Sequence, residues 1–225
     1  MFNNKTTYSV IFFFIFWVNI NNAQQIYIES GFENAYFKDY ENNLGKNTLD
    51  LNYSKSQEVF LETGFRFKLY EDRFKWNLGV GYNRYQINTG FYAGNISIPT
   101  TYNLSYVTIK TGVNFAIVNE PRFKLQIHTH ISYDFLTTGT RRYNNNTANL
   151  YTERTFDRTL LRYHRGLSAE YVISDEISTY ISYNVADSFR DSNRDSNIEE
   201  KYSLHTNAYS IGLLFNIARL NKRRF

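Results

Sequence analysis

Residues 123–135 read FKLQIHTHISYDF, and the strict alternation in this stretch decides the fold class. Its odd-numbered positions carry aromatic, aliphatic or threonine side chains, whereas its even-numbered positions carry Lys, Gln, His, Ser and Asp. Successive side chains of a β-strand point to opposite faces, so a period of two predicts a strand with one apolar and one polar face.

The same alternation recurs along the chain and predicts eight strands, at about 26–38, 58–69, 74–85, 104–118, 123–136, 160–173, 177–186 and 202–217. Tight turns rich in Asp, Glu, Asn and Pro are predicted at 70–73, 119–122 and 174–176. Long polar loops are predicted at 39–57, 86–103, 137–159 and 187–201. This layout predicts an all-β fold: a closed, antiparallel, eight-stranded transmembrane β-barrel with both termini on the side of the short turns.

The glycines indicate which face of the predicted barrel points inward. Seven of them fall on the polar face of the strands: Gly31, Gly64, Gly79, Gly81, Gly112, Gly166 and Gly212. A narrow eight-stranded interior has little room for side chains, so this pattern favours a polar lumen and a lipid-facing apolar outside. The lumen is then predicted to hold five acids and six bases, which must pair because an unpaired buried charge is costly: Glu29, Glu33, Glu62, Asp134, Glu170, Arg66, Lys68, Lys75, Lys110, Lys124 and Arg162.

The first residues carry the features of a secretory signal peptide. Lys5 precedes a nine-residue apolar run from Val10 to Val18. This run is too short for a membrane-spanning helix, which needs about 20 residues. Cleavage is predicted after Ala23, which divides the chain into a signal peptide at 1–23 and a β-barrel domain at 24–225.

Composition narrows the classes of function. The 225 residues contain no Cys, which excludes disulfide scaffolds, thiolate metal sites and cysteine nucleophiles. Aromatic residues make up 18% of the chain, which favours sheet over helix. The formal net charge of +4 is too small to predict a nucleic acid as partner.

With these patterns the chain resembles the small eight-stranded outer-membrane barrels of Gram-negative bacteria, the class of the OmpA transmembrane domain and OmpX. Its high content of Asn and Tyr suggests a protein from the Bacteroidota. Residues 210–217, SIGLLFNI, resemble the final-strand signal that the barrel assembly machinery reads, although ARLNKRRF follows them. Within that signal we expect Gly212 to fit a crowded lumen and Phe215 to face lipid.

One pair of residues offers candidate catalytic chemistry. His130 and Ser132, with His128 before them, resemble the His-x-Ser pair of outer-membrane lipid A deacylases. A hydroxyl nucleophile needs an imidazole within hydrogen-bond reach, and residues two apart on a strand share a face. The pair is predicted to point into the lumen, away from a lipid substrate, so polar filling of the lumen is the favoured interpretation.

Other polar residues give weaker signals. Asp187, Asp191 and Asp195 lack the turn glycine of the known calcium loop, and His164 and His205 have no metal-ligand spacing, so no metal site and no cofactor are predicted. Arg165 falls on the lipid-facing parity, where it is expected either to extend towards the headgroups or to mark a bulge. A basic third loop could meet anionic lipopolysaccharide, through Arg141, Arg142 and Arg154.

These observations favour a non-enzymatic outer-membrane protein with an envelope-structural role or a surface-contact role through its long loops. Two alternatives stay open, a lipid A-modifying hydrolase and a small passive channel. The expected partners are outer-membrane lipid and lipopolysaccharide, the barrel assembly machinery during biogenesis, and a surface ligand of the loops 137–159 and 187–201.

Overall fold

The computed structural model describes residues 25–42, 49–50, 56–144, 146–153, 156, 158–189 and 200–217. The predicted signal peptide at 1–23, Arg154, Asp191 and Asp195 therefore lie outside the described residues, as do large parts of the predicted loops 39–57 and 187–201. The described residues form ten strands: β1 (Gln25–Asn42), β2 (Leu49–Asp50), β3 (Gln57–Tyr70), β4 (Phe74–Ala93), β5 (Ile96–Asn119), β6 (Phe123–Tyr143), β7 (Asn146–Asn149), β8 (Thr159–Val172), β9 (Ile177–Ser188) and β10 (Glu200–Asn216).

Eight of these strands close into a ring. The sheet runs in the order β4-β3-β1-β10-β9-β8-β6-β5, and β5 pairs again with β4. All of these pairings are antiparallel. The predicted closed eight-stranded architecture is therefore confirmed, with β2 and β7 as short additions to β4 and β6.

The two ends of the ring differ. Turns of three or four residues join β3 to β4, β5 to β6 and β8 to β9 at one end, as predicted. The first residue of β1, Gln25, pairs with Asn216 near the end of β10 and lies at this same end. We call it the turn end and the opposite one the loop end.

Two of the loop predictions are wrong. Residues 86–103 form the upper part of the β4–β5 hairpin, which pairs without a break from Phe74↔Phe115 to Ala93↔Ile96. Its two-residue connection places Gly94 at a φ of 65°, a left-handed conformation that favours glycine in tight hairpin loops. The predicted loop 137–159 begins as strand, because β6 extends to Tyr143 and β7 pairs back onto it.

The outer wall of the ring is apolar. Large hydrophobic side chains stand exposed on it along every strand of the ring, among them Leu61, Val80, Ile109, Ile131, Leu167, Ile181, Ile211 and Phe32. Aromatic rings cluster on the same wall, with Tyr133 and Phe135 at 4.9 Å and Tyr183 and Tyr209 at 4.8 Å between ring centroids. The predicted orientation of the two faces is thus confirmed, and within the described residues no helix is long and apolar enough to cross a membrane.

The inner wall is polar and crowded. At Gly31 an added Cβ would lie 2.0 Å from a backbone oxygen of Tyr209, and at Gly212 it would lie 2.2 Å from the ring of Tyr180. Such distances leave no room for a side chain, which is the physical reason that glycines occupy the inward parity.

Candidate functional site

The buried polar groups of the lumen form the candidate site, and the strand register stacks them in three layers. Nearest the loop end, the buried Arg162 of β8 donates from Nη1 to Asp134 Oδ2 at 3.2 Å and from Nη2 to Glu33 Oε1 at 3.2 Å. The same guanidinium donates to the hydroxyl of Tyr85 at 2.6 Å and to that of Thr206. One cation thus ties together four other strands of the ring.

The middle layer holds two buried carboxylates around one lysine. Lys110 of β5 forms an ion pair with Glu62 of β3. Glu62 also accepts a hydrogen bond from the hydroxyl of Tyr27 at 2.6 Å. Glu29 of β1 accepts hydrogen bonds from Tyr180 at 2.7 Å and from two serine hydroxyls, those of Ser182 and Ser210.

The layer nearest the turn end centres on Glu170 of β8. Its Oε2 accepts from Arg66 Nη1 at 3.1 Å and from Gln126 Nε2 at 2.8 Å, and Lys75 Nζ lies 3.6 Å away. Asn77 and Asn114 continue this layer as a chain of amide hydrogen bonds. Each layer contains at least one ion pair, as an interior of low dielectric requires. The two layers nearer the loop end hold two carboxylates and one cation each, and the layer at the turn end holds one carboxylate and two cations.

Nine of the eleven predicted lumen charges are buried, but Lys68 and Lys124 are not. Lys68 is exposed at the last residues of β3, where the strand register shifts and the lumen opens to solvent. There it pairs with Asp72 in the following turn, and this hydrogen bond lowers the pKa of the Asp72 carboxyl. Lys124 is half-buried and, together with Lys68 and Lys75, lines an open cavity of about 670 Å³ at the turn end.

The predicted His130–Ser132 pair is not brought together. Ser132 Oγ donates to Asp134 Oδ1 at 2.9 Å and lies 2.8 Å from Nε2 of His164. His164 lies on β8 and is the direct partner of His130 on β6. Because Ser132 is two residues from His130 on the same face, the His164 side chain can reach it. His164, which sequence reasoning set aside, is therefore the imidazole beside the hydroxyl.

His130 belongs to a different group. Its Nε2 lies 3.1 Å from Asn114 Oδ1 and 3.3 Å from Asn77 Nδ2. The ring also stacks on His128 at 5.1 Å between centroids. Its Nδ1 has no hydrogen-bond partner among the described residues, so no acid orients this imidazole as a catalytic base.

The geometry around Ser132 does not match that of an activated nucleophile. A serine hydroxyl has one proton, and here that proton is donated to Asp134. His164 Nε2 must then carry its own proton and donate it to Oγ, which is the reverse of what a general base does. Ser132 and Asp134 are also fully buried in the lumen, so a lipid on the outer wall has no path to them.

An apolar cluster closes the lumen above the charged layers. Its buried members come from the loop-end halves of the strands and from short connections: Ala35, Phe37, Leu49, Tyr85, Ile87, Tyr102, Leu104, Tyr106, Leu136, Leu150 and Leu204. Phe37 and Tyr102 meet edge to face at 5.0 Å between centroids. We call this group the apolar plug. The sequence does not predict this plug, because four of its eleven buried members, Leu49, Ile87, Tyr102 and Leu150, lie in stretches with the pattern of polar loops.

On the outer wall of the barrel, Arg165 forms an ion pair. Its Nη1 donates to Asp187 Oδ2 at 3.0 Å, and Asp187 Oδ1 lies 2.5 Å from His205 Nδ1. The register runs through Arg165 without a shift on both sides, so the alternative of a bulge at this position is wrong. Among the described residues, no group of three or more His, Asp or Glu side chains could hold a metal ion.

These features together define the architecture. Eight antiparallel strands closed in a ring, an apolar outer wall and short turns at one end are the hallmarks of transmembrane barrels. The fold is that of a small eight-stranded outer-membrane β-barrel. The Bacteroidota assignment stays a prediction.

Comparison with known proteins gives similarity in structure alone. No protein-family model and no curated protein matches the sequence. Among solved structures, the chain is similar to the neisserial surface protein NspA, with 8% identity, 85% of this chain and 97% of that chain covered, and a TM-score of 0.46. It is also similar to Ail, the attachment invasion locus protein of Yersinia pestis, with 13% identity, coverages of 86% and 99%, and a TM-score of 0.43. The outer-membrane protease OmpT of Escherichia coli gives 9% identity, coverages of 87% and 97%, and a TM-score of 0.48. At these identities and TM-scores, none of the neighbours' activities carries over to this chain.

Proposed function

We propose that this protein is a non-enzymatic barrel of the Gram-negative outer membrane, which spans the bilayer with a closed lumen and serves the envelope structurally or through surface contacts at its loop end. The observation that carries the proposal is the outer wall. Soluble monomers rarely expose contiguous apolar patches of more than a few hundred Å². Here exposed hydrophobic side chains follow every strand of the ring, which suits lipid and not water.

The filled lumen supports a structural role over that of a channel. Three charge-paired layers occupy the interior, and the apolar plug lies above them. A cavity between Glu29, Lys110 and His130 holds about 20 Å³, roughly the space of one water molecule. A lumen filled in this way disfavours the passage of ions.

The loop end supports a role in surface contact. Tyr143 and Tyr151 stand exposed there, and Arg141 and Arg158 lie over their rings at 5.8 and 5.2 Å from the centroids. Tyr and Arg are enriched at protein interfaces because they combine a large contact area with hydrogen bonding. A surface ligand of the segment 137–159 would meet these side chains first, and the segment 187–201 is proposed as its second contact.

The remaining parts of the proposal concern biogenesis. The signal peptide at 1–23 directs export, and the mature chain begins near Gln24. The barrel assembly machinery reads the final strand, in which Gly212 faces the lumen while Phe215 is half-buried and pairs with Ile26 of β1. The turn end faces the periplasm, and outer-membrane lipid and lipopolysaccharide surround the wall.

Expression in a Gram-negative host tests the proposal with three measurements. We expect the protein in the outer-membrane fraction, no unit conductance steps in planar bilayers, and no change in the mass of lipid A extracted from the cells. Periplasmic or cytoplasmic fractionation would overturn the location. Conductance steps would favour the alternative of a channel. Release of fatty acid from lipid A that is lost on Ser132→Ala would favour the alternative of a hydrolase.

A further inference from the structure

The outer wall carries a groove that the proposed function leaves without an occupant. The groove has a volume of about 410 Å³ and is lined almost wholly by apolar atoms of β6, β8, β9 and β10, chiefly Leu125, Leu167, Ala169, Ile181, Tyr183 and Tyr209. Ala169 pairs with Leu125 on one side and with Ile181 on the other. The small side chain of Ala169 between these two larger side chains creates the groove.

A cation lies on the same wall, between this groove and the loop end. Arg165 is two residues before Leu167 on β8, and Val185, its partner on β9, is two residues from Tyr183. Alternate residues of a strand share a face, so the backbone of Arg165 stands one residue pair nearer the loop end than the groove. Its guanidinium extends further towards the loop end and bonds Asp187, the partner of Tyr163. Arg165 is thus the polar end of an otherwise apolar site.

The neighbours of Arg165 hold it in place without covering it. One N–H of the guanidinium donates to Asp187, whose second oxygen is occupied by His205. The Arg165 side chain nevertheless remains 52% exposed. A guanidinium has five N–H donors in a planar fork, so its free edge can bind an oxyanion while Asp187 fixes its direction.

We propose that Arg165 and the groove together bind one phosphate-bearing lipid of the extracellular leaflet, of the lipid A class. One acyl chain lies in the groove between Leu167, Ala169 and Ile181, and a phosphate accepts hydrogen bonds from Arg165. An apolar groove with a half-exposed cation on its loop-end side is complementary to an anionic amphiphile. This inference rests on the proposed membrane location and adds to it a specific lipid and a specific place on the wall.

Native mass spectrometry of the barrel folded in uncharged detergent tests the site. The probes are lipid A and the same lipid A with its phosphates removed. We expect wild-type protein to bind the phosphorylated form at least about tenfold more tightly, as a charge-assisted hydrogen bond supplies. Arg165→Gln should abolish this preference, and Ala169→Phe, which fills the groove, should weaken the binding of both forms.

Arg84→Gln is the matched control, since Arg84 is an exposed arginine on the outer face of β4, far from the groove. It should keep the wild-type preference. Equal binding of the two lipids by wild-type protein, an unchanged preference in Arg165→Gln, or an equal loss in Arg84→Gln would each overturn the site. Failure of the proposed membrane location looks different, because wild-type protein would then show no heat-modifiable folded band in detergent or lipid.

Discussion

At the scale of single residues, Arg162 is the side chain on which the interior of the barrel depends most. It is the one cation within hydrogen-bond distance of both Asp134 and Glu33 among the described residues, and all three side chains are buried. Removing one partner of a buried ion pair leaves an uncompensated charge, which commonly costs about 3–5 kcal/mol.

We therefore expect Arg162→Leu to lower the free energy of unfolding in urea by about 3–5 kcal/mol. Arg165→Leu is the control, because this arginine lies on the outer wall and its loss should change stability by about 1 kcal/mol or less near an interface. Equal stability of the two variants would contradict the assignment of inner and outer faces on β8.

Gly212 gives a second test of the inner wall. A Cβ at this position would lie 2.2 Å from the Tyr180 ring, and the Tyr180 hydroxyl is fixed by its hydrogen bond to Glu29. The ring cannot move aside without breaking that bond, so Gly212→Ala should lose about 1–3 kcal/mol of stability or more.

Gly81→Ala is its matched control, since a Cβ there would be 3.3 Å from the nearest atom and needs only a small adjustment. The heat-modifiable fraction on gels and the urea midpoint measure both variants. If Gly212→Ala and Gly81→Ala behave alike, then Gly212 does not face Tyr180.

At the scale of elements, the β4–β5 hairpin extends beyond the closed ring at the loop end. The pairing of β5 with β6 begins only at Thr100, so residues 96–99 pair with β4 alone. Pro99 sits in this unpaired edge, where a residue without an N–H is tolerated. The upper hairpin is thus an appendage of the closed ring.

Removing residues 89–93 and 96–100 should preserve the barrel, with Gly94 and Asn95 then connecting Asn88 to Thr101. The ring pairings below Thr100 remain, whereas Tyr143 loses its partner Thr100 and β2 loses its partners Gly90 and Phe91. We expect a heat-modifiable barrel in which protease cleaves the segment 43–56 faster than in wild-type protein. A variant that does not fold at all would show that the hairpin is part of the folding core.

Sequence patterns predicted the ring because each spanning strand alternates strictly between a lipid face and a polar lumen. They failed for 86–103, where the pattern is reversed: polar side chains such as Gln86 and Asn103 lie on the outer face, and Ile87 and Tyr102 turn into the apolar plug. The Gly94-Asn95 dipeptide was an available signal, since such pairs between strand-like runs favour two-residue hairpins. The contact between Ser132 and His164 depends on the β6–β8 register, which alternation within one strand does not contain.

At the scale of the whole molecule, most of the buried charges and hydroxyls of the barrel lumen pair with one another. Ser132→Ala and His164→Gln test this directly, because neither change should alter the lipid A of expressing cells if the two groups only fill the lumen. The readout is the mass spectrum of extracted lipid A. A deacylated species that appears with wild-type protein and vanishes with either change would show that Ser132 is a nucleophile activated by His164.

The central claim is that the apolar wall faces lipid, and spin-label accessibility along β6 measures it most directly. The absence of native Cys allows single labels at Ile127, Thr129 and Ile131 on the outer wall, with Ile96 beside the hairpin tip as an aqueous reference. In reconstituted bilayers we predict high collision rates with oxygen and low rates with a water-soluble nickel chelate at the three wall sites, and the reverse at Ile96. Access of the nickel chelate to the wall sites equal to that at Ile96 would contradict the account.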